Sequence, residues 1–350
     1  MKSNHTHELI SKKRAADALK ILILLVVLVV LFIMALGSGR TSVNFFDVVQ
    51  ILLSQFGLNT QPIDESAATV VNLVRLPRIV AAVLVGSALA LAGAAYQGLF
   101  RNPMVSPDIL GASAGAGFGA ALALLLDGNV RVVQLAAFVM GFIAVMITYV
   151  SARKISKGIG KILIFVLCGL IVGTLFQAMI SAIKFTADPD SKLPEITYWL
   201  MGSIAKVTWN DILVFLVPFL IGSIPLLLLR WRLNSLAFGD VEAEALGVNV
   251  ERLRMINILC ATLLTSAVVA IAGIIGWVGL IIPHIARFLF GPDNRIVLPA
   301  SIVIGAAFLV LVDMCCRTFF ASEIPLGILT SVVGAPFFFI ILIKTQSEKL

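Results

Sequence analysis

The chain has 350 residues, of which 60% are hydrophobic and only 13% are charged. A soluble domain of this length could not keep so much apolar surface away from water, so the composition excludes the ordinary soluble classes. The net charge of +7 could suggest a nucleic-acid partner, but the Lys and Arg residues fall mainly between hydrophobic runs rather than in one patch. We therefore interpret the positive charge as a feature of membrane topology.

The first long apolar run begins near residue 19, after a polar tail over residues 1–18. A cleaved signal peptide is the alternative interpretation of such an N-terminus. However, no small-residue cleavage site ends the run cleanly before Arg40. We therefore predict an uncleaved first span that follows a cytoplasmic tail.

Apolar runs of similar length recur along the whole chain. Crossing a hydrocarbon core about 30 Å thick takes about 20 apolar residues, and inside it only helices or closed barrels satisfy the backbone. The predicted helical spans are 19–37, 77–99, 110–126, 132–150, 161–184, 212–230, 255–273, 277–290, 296–316 and 325–344. The expected fold is an all-α integral membrane protein with about ten transmembrane helices. These form one transmembrane domain over residues 19–344, followed by a short tail over residues 345–350.

The number of spans depends on residues 255–290, which could form one overlong helix or two spans that fold at Gly273, Gly276 and Gly279. With two spans and a cytoplasmic N-terminus, 18 of the 26 Lys and Arg residues lie on the cytoplasmic side. A single span would give roughly 15 against 11. Because short cytoplasmic loops carry an excess of Lys and Arg, we predict ten spans with both termini in the cytoplasm.

Small residues are concentrated inside several spans, for example over 86–93 and 111–119. In lipid there is little hydrophobic force between helices, so close backbone packing at small residues is a main source of helix association. We predict helix crossings at these segments.

Charges at membrane depth would indicate an ion-coupled carrier, because a charge near mid-bilayer costs several kcal/mol. Asp313 is the one carboxylate clearly inside an apolar run, and it lies four residues before Arg317, a helical spacing for an ion pair. We interpret the two as a local structural pair. An ion-coupled secondary transporter and an intramembrane enzyme are the alternatives from other classes. Scarce buried carboxylates disfavour the first, and the second would need a constellation of catalytic residues that the sequence does not offer at matching depth.

The loop between the sixth and seventh predicted spans contains a short helix signal. Asp240 suits the N-cap, Glu242 suits the first turn, and Gly247 suits the position just past the end, so we expect a two-turn helix around 241–246. Such a helix could dock a cytoplasmic partner, or it could be a mere interfacial helix.

The sequence offers no nucleotide-binding loop of the Walker type. Lys161 follows Gly160, but Ile162 comes next and the required upstream glycine is missing. We therefore expect that the chain catalyses no reaction, carries no cofactor or metal, and takes any nucleotide energy from a separate ATPase subunit.

Several long motifs occur in order between about Arg75 and Lys344. They are Arg75-Leu-Pro-Arg78, Gln97-Gly-Leu-Phe-Arg101-Asn-Pro103, Tyr198-Trp-Leu-Met-Gly202, Glu242 to Gly247, Gly276-Trp-Val-Gly-Leu-Ile-Ile-Pro-His284-Ile-Ala-Arg287, Asp313 with Arg317, and Glu323-Ile-Pro325-Leu-Gly327. On these motifs the chain resembles the FecCD family of ABC-importer permeases, which serves iron siderophores, haem and vitamin B12.

The resemblance implies a permease dimer, formed with a second copy or with a similar permease, in the cell membrane. Two cytoplasmic ATPase subunits would lie below it and an extracytoplasmic substrate-binding protein above it. The favoured function is ATP-driven import of a metal chelate, with an iron siderophore first and haem, cobalamin or molybdate as alternatives.

The resemblance also implies roles for individual residues. Binding-protein docking falls on Arg75, Arg78 and Arg317. ATPase coupling falls on Asp240, Glu242, Ala245, Leu246 and Gly247, and an inner gate falls on Lys157, Gly158, Ile159 and Gly160. The alternative for the arginines is that Arg75 and Arg78 reach the lipid headgroups while Arg317 pairs only with Asp313.

Overall fold

The computed structural model describes residues 2–39, 45–55, 64–155, 161–319 and 323–347. Every regular element in these ranges is helical, so the predicted all-α architecture is confirmed for the described part of the chain. The α-helices are α1 (Lys2–Gly37), α2 (Phe45–Gln55), α3 (Glu65–Thr69), α4 (Leu76–Phe100), α5 (Ala112–Leu125), α6 (Val130–Ile155), α7 (Lys161–Thr186), α8 (Lys192–Leu200), α9 (Trp209–Ser235), α10 (Asp240–Ala245), α11 (Val250–Ala272), α12 (Val278–Phe290), α13 (Asn294–Thr318) and α14 (Leu326–Ser347).

Seven helical stretches in the described part are long and apolar enough to cross a membrane. They are Lys12–Gly37, Glu65–Phe100, Val130–Ile155, Ile162–Thr186, Trp209–Phe238, Val250–Ala272 and Asn294–Thr318. Three shorter helices are also apolar, namely Ala112–Leu125, Val278–Phe290 and Leu326–Ile340. Each of these ten stretches overlaps one of the spans expected from the sequence.

The apolar stretch over residues 255–290 forms two helices rather than one. α11 ends at Ala272, and Gly273 adopts a left-handed φ of +67°, a conformation that glycine reaches without steric cost. Trp277, which precedes α12, also has a positive φ, +72°. A bulky residue with a positive φ is strained. The backbone is therefore strained at Trp277, in the connection between α11 and α12.

α4 lies at the centre of the bundle, and glycines allow its neighbours to approach closely. An added side chain at Gly86 would collide with the backbone of Gly305 on α13, and one at Gly93 would collide with the backbone of Gly279 on α12. The segment of small residues over 86–93 therefore packs as predicted. α1, in contrast, lies at the edge of the bundle, since only 11% of the residues in its most apolar 18-residue stretch are buried.

The helix that leads into α4 begins earlier than the sequence suggested. α3 passes directly into a π-helical segment, Val70–Arg75, in which the N–H of Leu76 donates to the carbonyl of Val71. Pro77 follows at the start of α4, and it has no N–H to donate. The wider turn therefore falls where the hydrogen-bond ladder is interrupted in any case.

Candidate functional site

Three arginines and two carboxylates meet at the end of the bundle where α1 ends. Arg78 Nε donates to Asp313 Oδ1 over 2.8 Å, and its Nη1 donates to Glu323 Oε2 over 2.9 Å. Arg317 Nε lies 3.1 Å from the other oxygen of Asp313. The predicted pair of Asp313 and Arg317 is therefore present, and Arg78 shares it. We call these residues, together with Arg75, the arginine cluster.

Two arginines of the cluster cap the C-terminal end of α1. Arg75 Nη1 lies 2.7 Å from the carbonyl oxygen of Leu36, and Arg317 Nη2 lies 2.9 Å from that of Ala35. The last four carbonyl groups of a helix have no partner within the helix and carry the negative end of its dipole. The cluster thus fastens the otherwise peripheral α1 to α4 and α13.

The arginine cluster is buried within the single chain. Arg75, Arg78 and Arg317 are only 4–6% exposed, and Asp313 is 1% exposed. Buried charges need partners, and each arginine has acceptors in its own chain. The structure therefore brings the three predicted docking residues together in an internal network. Their docking role stays a prediction.

The start of α10 differs from the expectation. Gly239, with a φ of +123°, occupies the N-cap position, and the side chain of Asp240 makes no cap hydrogen bond. Instead the Asp240 carboxylate accepts from Arg254 Nη2 over 3.0 Å and lies 4.0 Å from Arg101. The predicted N-cap role of Asp240 is therefore wrong, because the arginines draw its side chain away from the helix end.

The end of α10 follows the prediction. Gly247 has a φ of +82°, and its N–H donates to the carbonyl of Glu244 over 2.9 Å. The next N–H, of Val248, donates to the carbonyl of Ala243 over 3.0 Å. These two bonds form a Schellman motif, which uses glycine to stop a helix.

Apolar side chains project from α10 and from the turn before it. Val241 is 76% exposed and Leu246 is 67% exposed, and Phe238 beside them is 73% exposed. Ala243, on the opposite side, is fully buried and fixes the helix to the bundle. We call Phe238, Val241 and Leu246 the α10 patch. The predicted coupling residues Glu242 and Ala245 are also exposed.

α7 has a polar strip on its exposed side. Thr174, Gln177 and Ser181 are all exposed and are spaced three and four residues apart, so they lie on one face. α14, at the other end of the chain, exposes most of its side chains from Ile328 onwards. The predicted gate residues 157–160, which precede α7, lie outside the described residues.

A second buried polar contact joins α4 to α12. Gln97 Nε2 donates to the carbonyls of Val105 and Leu280 over 3.2 and 3.1 Å, and its side-chain oxygen accepts from Arg287 Nη1. Gln97 and Arg287 both lie in motifs found by sequence analysis, but no contact between them was predicted. Nothing in their spacing of 190 positions could have indicated that contact.

These features define an all-helical, multi-pass membrane protein. Residues 27–344 match the FecCD transport family. The chain therefore belongs to the FecCD transport family, the permease subunits of ABC importers in the cell membrane.

Individual relatives agree with this family. The Molybdate import system permease protein MolB of Haemophilus influenzae is 39% identical over 315 residues, which cover 90% of this chain and 92% of that protein. A probable iron chelatin transport system permease protein of Helicobacter pylori is 36% identical over 283 residues, which cover 80% of this chain and 84% of that protein. A solved metal-chelate type ABC transporter in an inward-facing conformation is 38% identical. The structural match covers 93% of this chain and 98% of that transporter chain, with a TM-score of 0.83.

Proposed function

We propose that this permease carries a metal chelate inward, with an iron siderophore as the first candidate. The observation that carries the proposal is the likeness to the metal-chelate type transporter, which extends over 93% of this chain. The uncharged polar strip on α7 agrees with it. A chelate encloses its metal in its own donor atoms, so it needs polar contacts along the path rather than fixed charges to replace a hydration shell.

Molybdate is a second candidate, which the 39% identity to the molybdate permease over 90% of the chain favours. The binding protein that delivers the substrate decides between the two. Titration of the cognate binding protein with an iron siderophore and with molybdate is the direct test. We expect tight binding of the iron siderophore and no heat of binding for molybdate. The reverse result would make molybdate the first candidate.

We propose ten spans with both termini in the cytoplasm. Support comes from the seven long and three shorter apolar helices of the described residues and from the excess of Lys and Arg on one side. On this topology the arginine cluster faces outward, whereas α10 faces the cytoplasm.

The exposed faces of α7 and α14 are proposed to meet a second permease copy around a central path. A Gln side chain such as Gln177 is costly in contact with lipid tails, so the strip suits a wet path better than the lipid surface. Among the described side chains, α14 packs against its own bundle mainly in its first half, where a Cβ added at Gly334 would meet Trp277, and a partner would cover the rest.

A separate ATPase subunit is proposed to dock on the α10 patch. Apolar side chains that are more than two-thirds exposed in a segment between two spans favour a protein contact. Replacing Leu246 with Arg would put a charge into that contact and uncouple ATP hydrolysis from uptake. Leu126, which is 71% exposed and also ends a helix, offers a matched control because it lies at the other end of the bundle.

The test compares the two variants after reconstitution with the ATPase and the substrate-loaded binding protein. Leu246→Arg should abolish substrate-stimulated ATP hydrolysis and uptake, whereas Leu126→Arg should leave both near the wild-type values. Normal coupled uptake by Leu246→Arg would refute the coupling role of α10.

We also propose that a substrate-binding protein docks at the arginine cluster. Three arginines against two carboxylates leave one net positive charge at the proposed outer surface. Glu323, whose side chain is 35% exposed, marks the solvent-facing side of the cluster. A glutamate of the binding protein could pair with Arg78 there, since a guanidinium binds carboxylates bidentately.

A further inference from the structure

A cavity of about 380 Å³ lies among α6, α7 and α11. Its apolar lining comes from Tyr149 of α6, Phe165 of α7 and Met255 of α11. The rings of Tyr149 and Phe165 pack against each other with their centroids 5.8 Å apart. Part of the lining is thus apolar and suits a ligand with an apolar part.

The rest of the same lining carries an excess of positive charge. Arg153 of α6 and Arg252 and Arg254 of α11 line it, and Glu251 is the one carboxylate in the lining among the described residues. Arg153 lies 3.9 Å from Glu251, and both side chains are about two-thirds exposed, so this pair is weak. Three arginines against one carboxylate give the lining an excess of two positive charges, one of which Asp240 of α10 balances through its ion pair with Arg254.

Arg254 has spare hydrogen-bond donors although it is buried. It is only 5% exposed, and its Nη2 donates to Asp240 of α10. Its buried Nε finds no acceptor within the part of the chain that the structure describes. A buried guanidinium with unused donors is costly unless an anion or water supplies acceptors.

The cavity lies at the same end of the bundle as α10, beside the last turn of α6 and the first turn of α11. On the proposed topology this is the level of the headgroups in the cytoplasmic leaflet. Anionic lipids of that leaflet attract basic residues, and basic pockets between transmembrane helices on this side bind phosphate headgroups.

We propose that this cavity binds the phosphate headgroup of an anionic phospholipid. The arginines would hold the phosphate, since the guanidinium fork matches its oxygens, and the apolar lining residues would contact the glycerol and the first acyl carbons. The proposal rests on the proposed topology, because only that topology puts the cavity in the cytoplasmic leaflet. Free phosphate and an acidic segment of the ATPase are also anionic, but neither makes use of the apolar lining residues.

The ion pair between Arg254 and Asp240 links the cavity to α10. A phosphate bound to Arg254 lies one side chain away from the helix that is proposed to dock the ATPase. The anionic lipid content of the membrane should therefore affect how tightly α10 is held, and with it the efficiency of coupling.

The test measures lipid binding to the purified chain in detergent, by native mass spectrometry, with phosphatidylglycerol and phosphatidylcholine as probes. Arg153→Gln combined with Arg252→Gln removes two exposed charges of the cavity and leaves the buried pair of Arg254 intact. Lys154→Gln combined with Arg232→Gln is the control, since it removes two exposed charges at the same end that do not line the cavity.

The wild type should bind phosphatidylglycerol in preference to phosphatidylcholine. The cavity variant should weaken phosphatidylglycerol binding by roughly fivefold per arginine, the equivalent of ~1 kcal/mol per charge, and the control should change it by less than twofold. Equal losses in both variants would overturn the proposal and leave only general surface attraction. Displacement of the lipid by millimolar inorganic phosphate would also overturn it, in favour of a free-phosphate site.

A third contrary outcome concerns the ATPase. If the cavity variant bound lipid normally but no longer bound the ATPase subunit, the cavity would seat an acidic segment of that subunit instead. The lipid measurement uses neither ATP nor substrate, so its failure is distinct from a failure of the proposed transport function. The Leu246→Arg variant tests the latter independently.

Discussion

Arg78 Nε lies 2.8 Å from the carboxylate oxygen of Asp313, although 235 positions of sequence separate the two residues. The contact joins α4, at the centre of the bundle, to α13 in a place where both side chains are shielded from solvent. Asp313 also faces Arg317, so two guanidinium groups share this carboxylate.

Removing this shared carboxylate should destabilise the fold. Asp313→Asn removes the carboxylate that faces Arg317 and leaves Arg78 with Glu323 alone, and breaking a buried ion pair in this way typically costs about 3–5 kcal/mol. We expect a clearly lower melting temperature in detergent. The exposed Asp190→Asn substitution is the control and should leave the melting temperature unchanged. Equal melting of the two variants would contradict a structural role for Asp313.

Substitutions of Arg75 can distinguish a role in anchoring α1 from a role in docking a binding protein. Docking predicts that Arg75→Glu slows association with the binding protein and flattens its salt dependence, and that a Glu→Arg change on the binding protein partly restores uptake. Arg131→Glu reverses an exposed charge at the same proposed surface and is the control. Association rates and melting temperatures are measured together.

The structure adds a second expectation for the same residue. Because Arg75 donates to the end of α1, Arg75→Glu should also lower the melting temperature. Unchanged receptor affinity and uptake in the Arg75→Glu, Arg78→Glu double variant would eliminate docking. If that variant does not fold, unchanged association kinetics of the milder Arg75→Gln variant would do so.

The contact between Trp277 and Gly334 should position α14. A Cβ at Gly334 would lie 2.6 Å from the Cβ of Trp277, so Gly334→Ala should cost roughly 1–3 kcal/mol through overpacking. Trp277→Gly removes the bulky side chain and relieves the backbone strain, since glycine adopts a positive φ without steric cost, so the combined variant should regain stability. Gly173→Ala is the matched control, because its nearest neighbour lies 3.9 Å away. Additive losses in the double variant would show that the two residues do not act on each other.

The fold could be predicted from the sequence wherever a long apolar run or a local spacing carried the information. The division of residues 255–290 followed from glycines and from the charge distribution, and the pair of Asp313 and Arg317 followed from helical spacing. The short amphipathic helices α2 and α8 are neither long nor uniformly apolar, so hydropathy did not indicate them.

The sites were less accessible to sequence reasoning because they depend on contacts between distant residues. Asp240 looked like an N-cap, but Arg254 draws it away after the chain has turned back on itself. Likewise, no local pattern shows that the carbonyls at the end of α1 accept from arginines about 40 and 280 positions later. Hydropathy predicts which residues lie within the membrane, but it does not predict which of them contact each other.

The position of the C-terminus tests the number of spans. Cysteine introduced beside Lys349, in a background without the four native cysteines, should resist an impermeant reagent applied to intact cells. Inverted vesicles should label readily, which shows that the site is reactive. Ready labelling from outside would indicate nine spans instead of ten.

This permease is proposed to move a metal chelate only when a separate ATPase subunit supplies the energy. Uptake of a ⁵⁵Fe-loaded siderophore into proteoliposomes tests it most directly, with the permease, the ATPase and the binding protein added singly and together. We expect ATP-dependent uptake only when all three are present, with no response to an ion gradient. Uptake by the permease alone under an imposed ion gradient, unchanged by ATP, would contradict the claim.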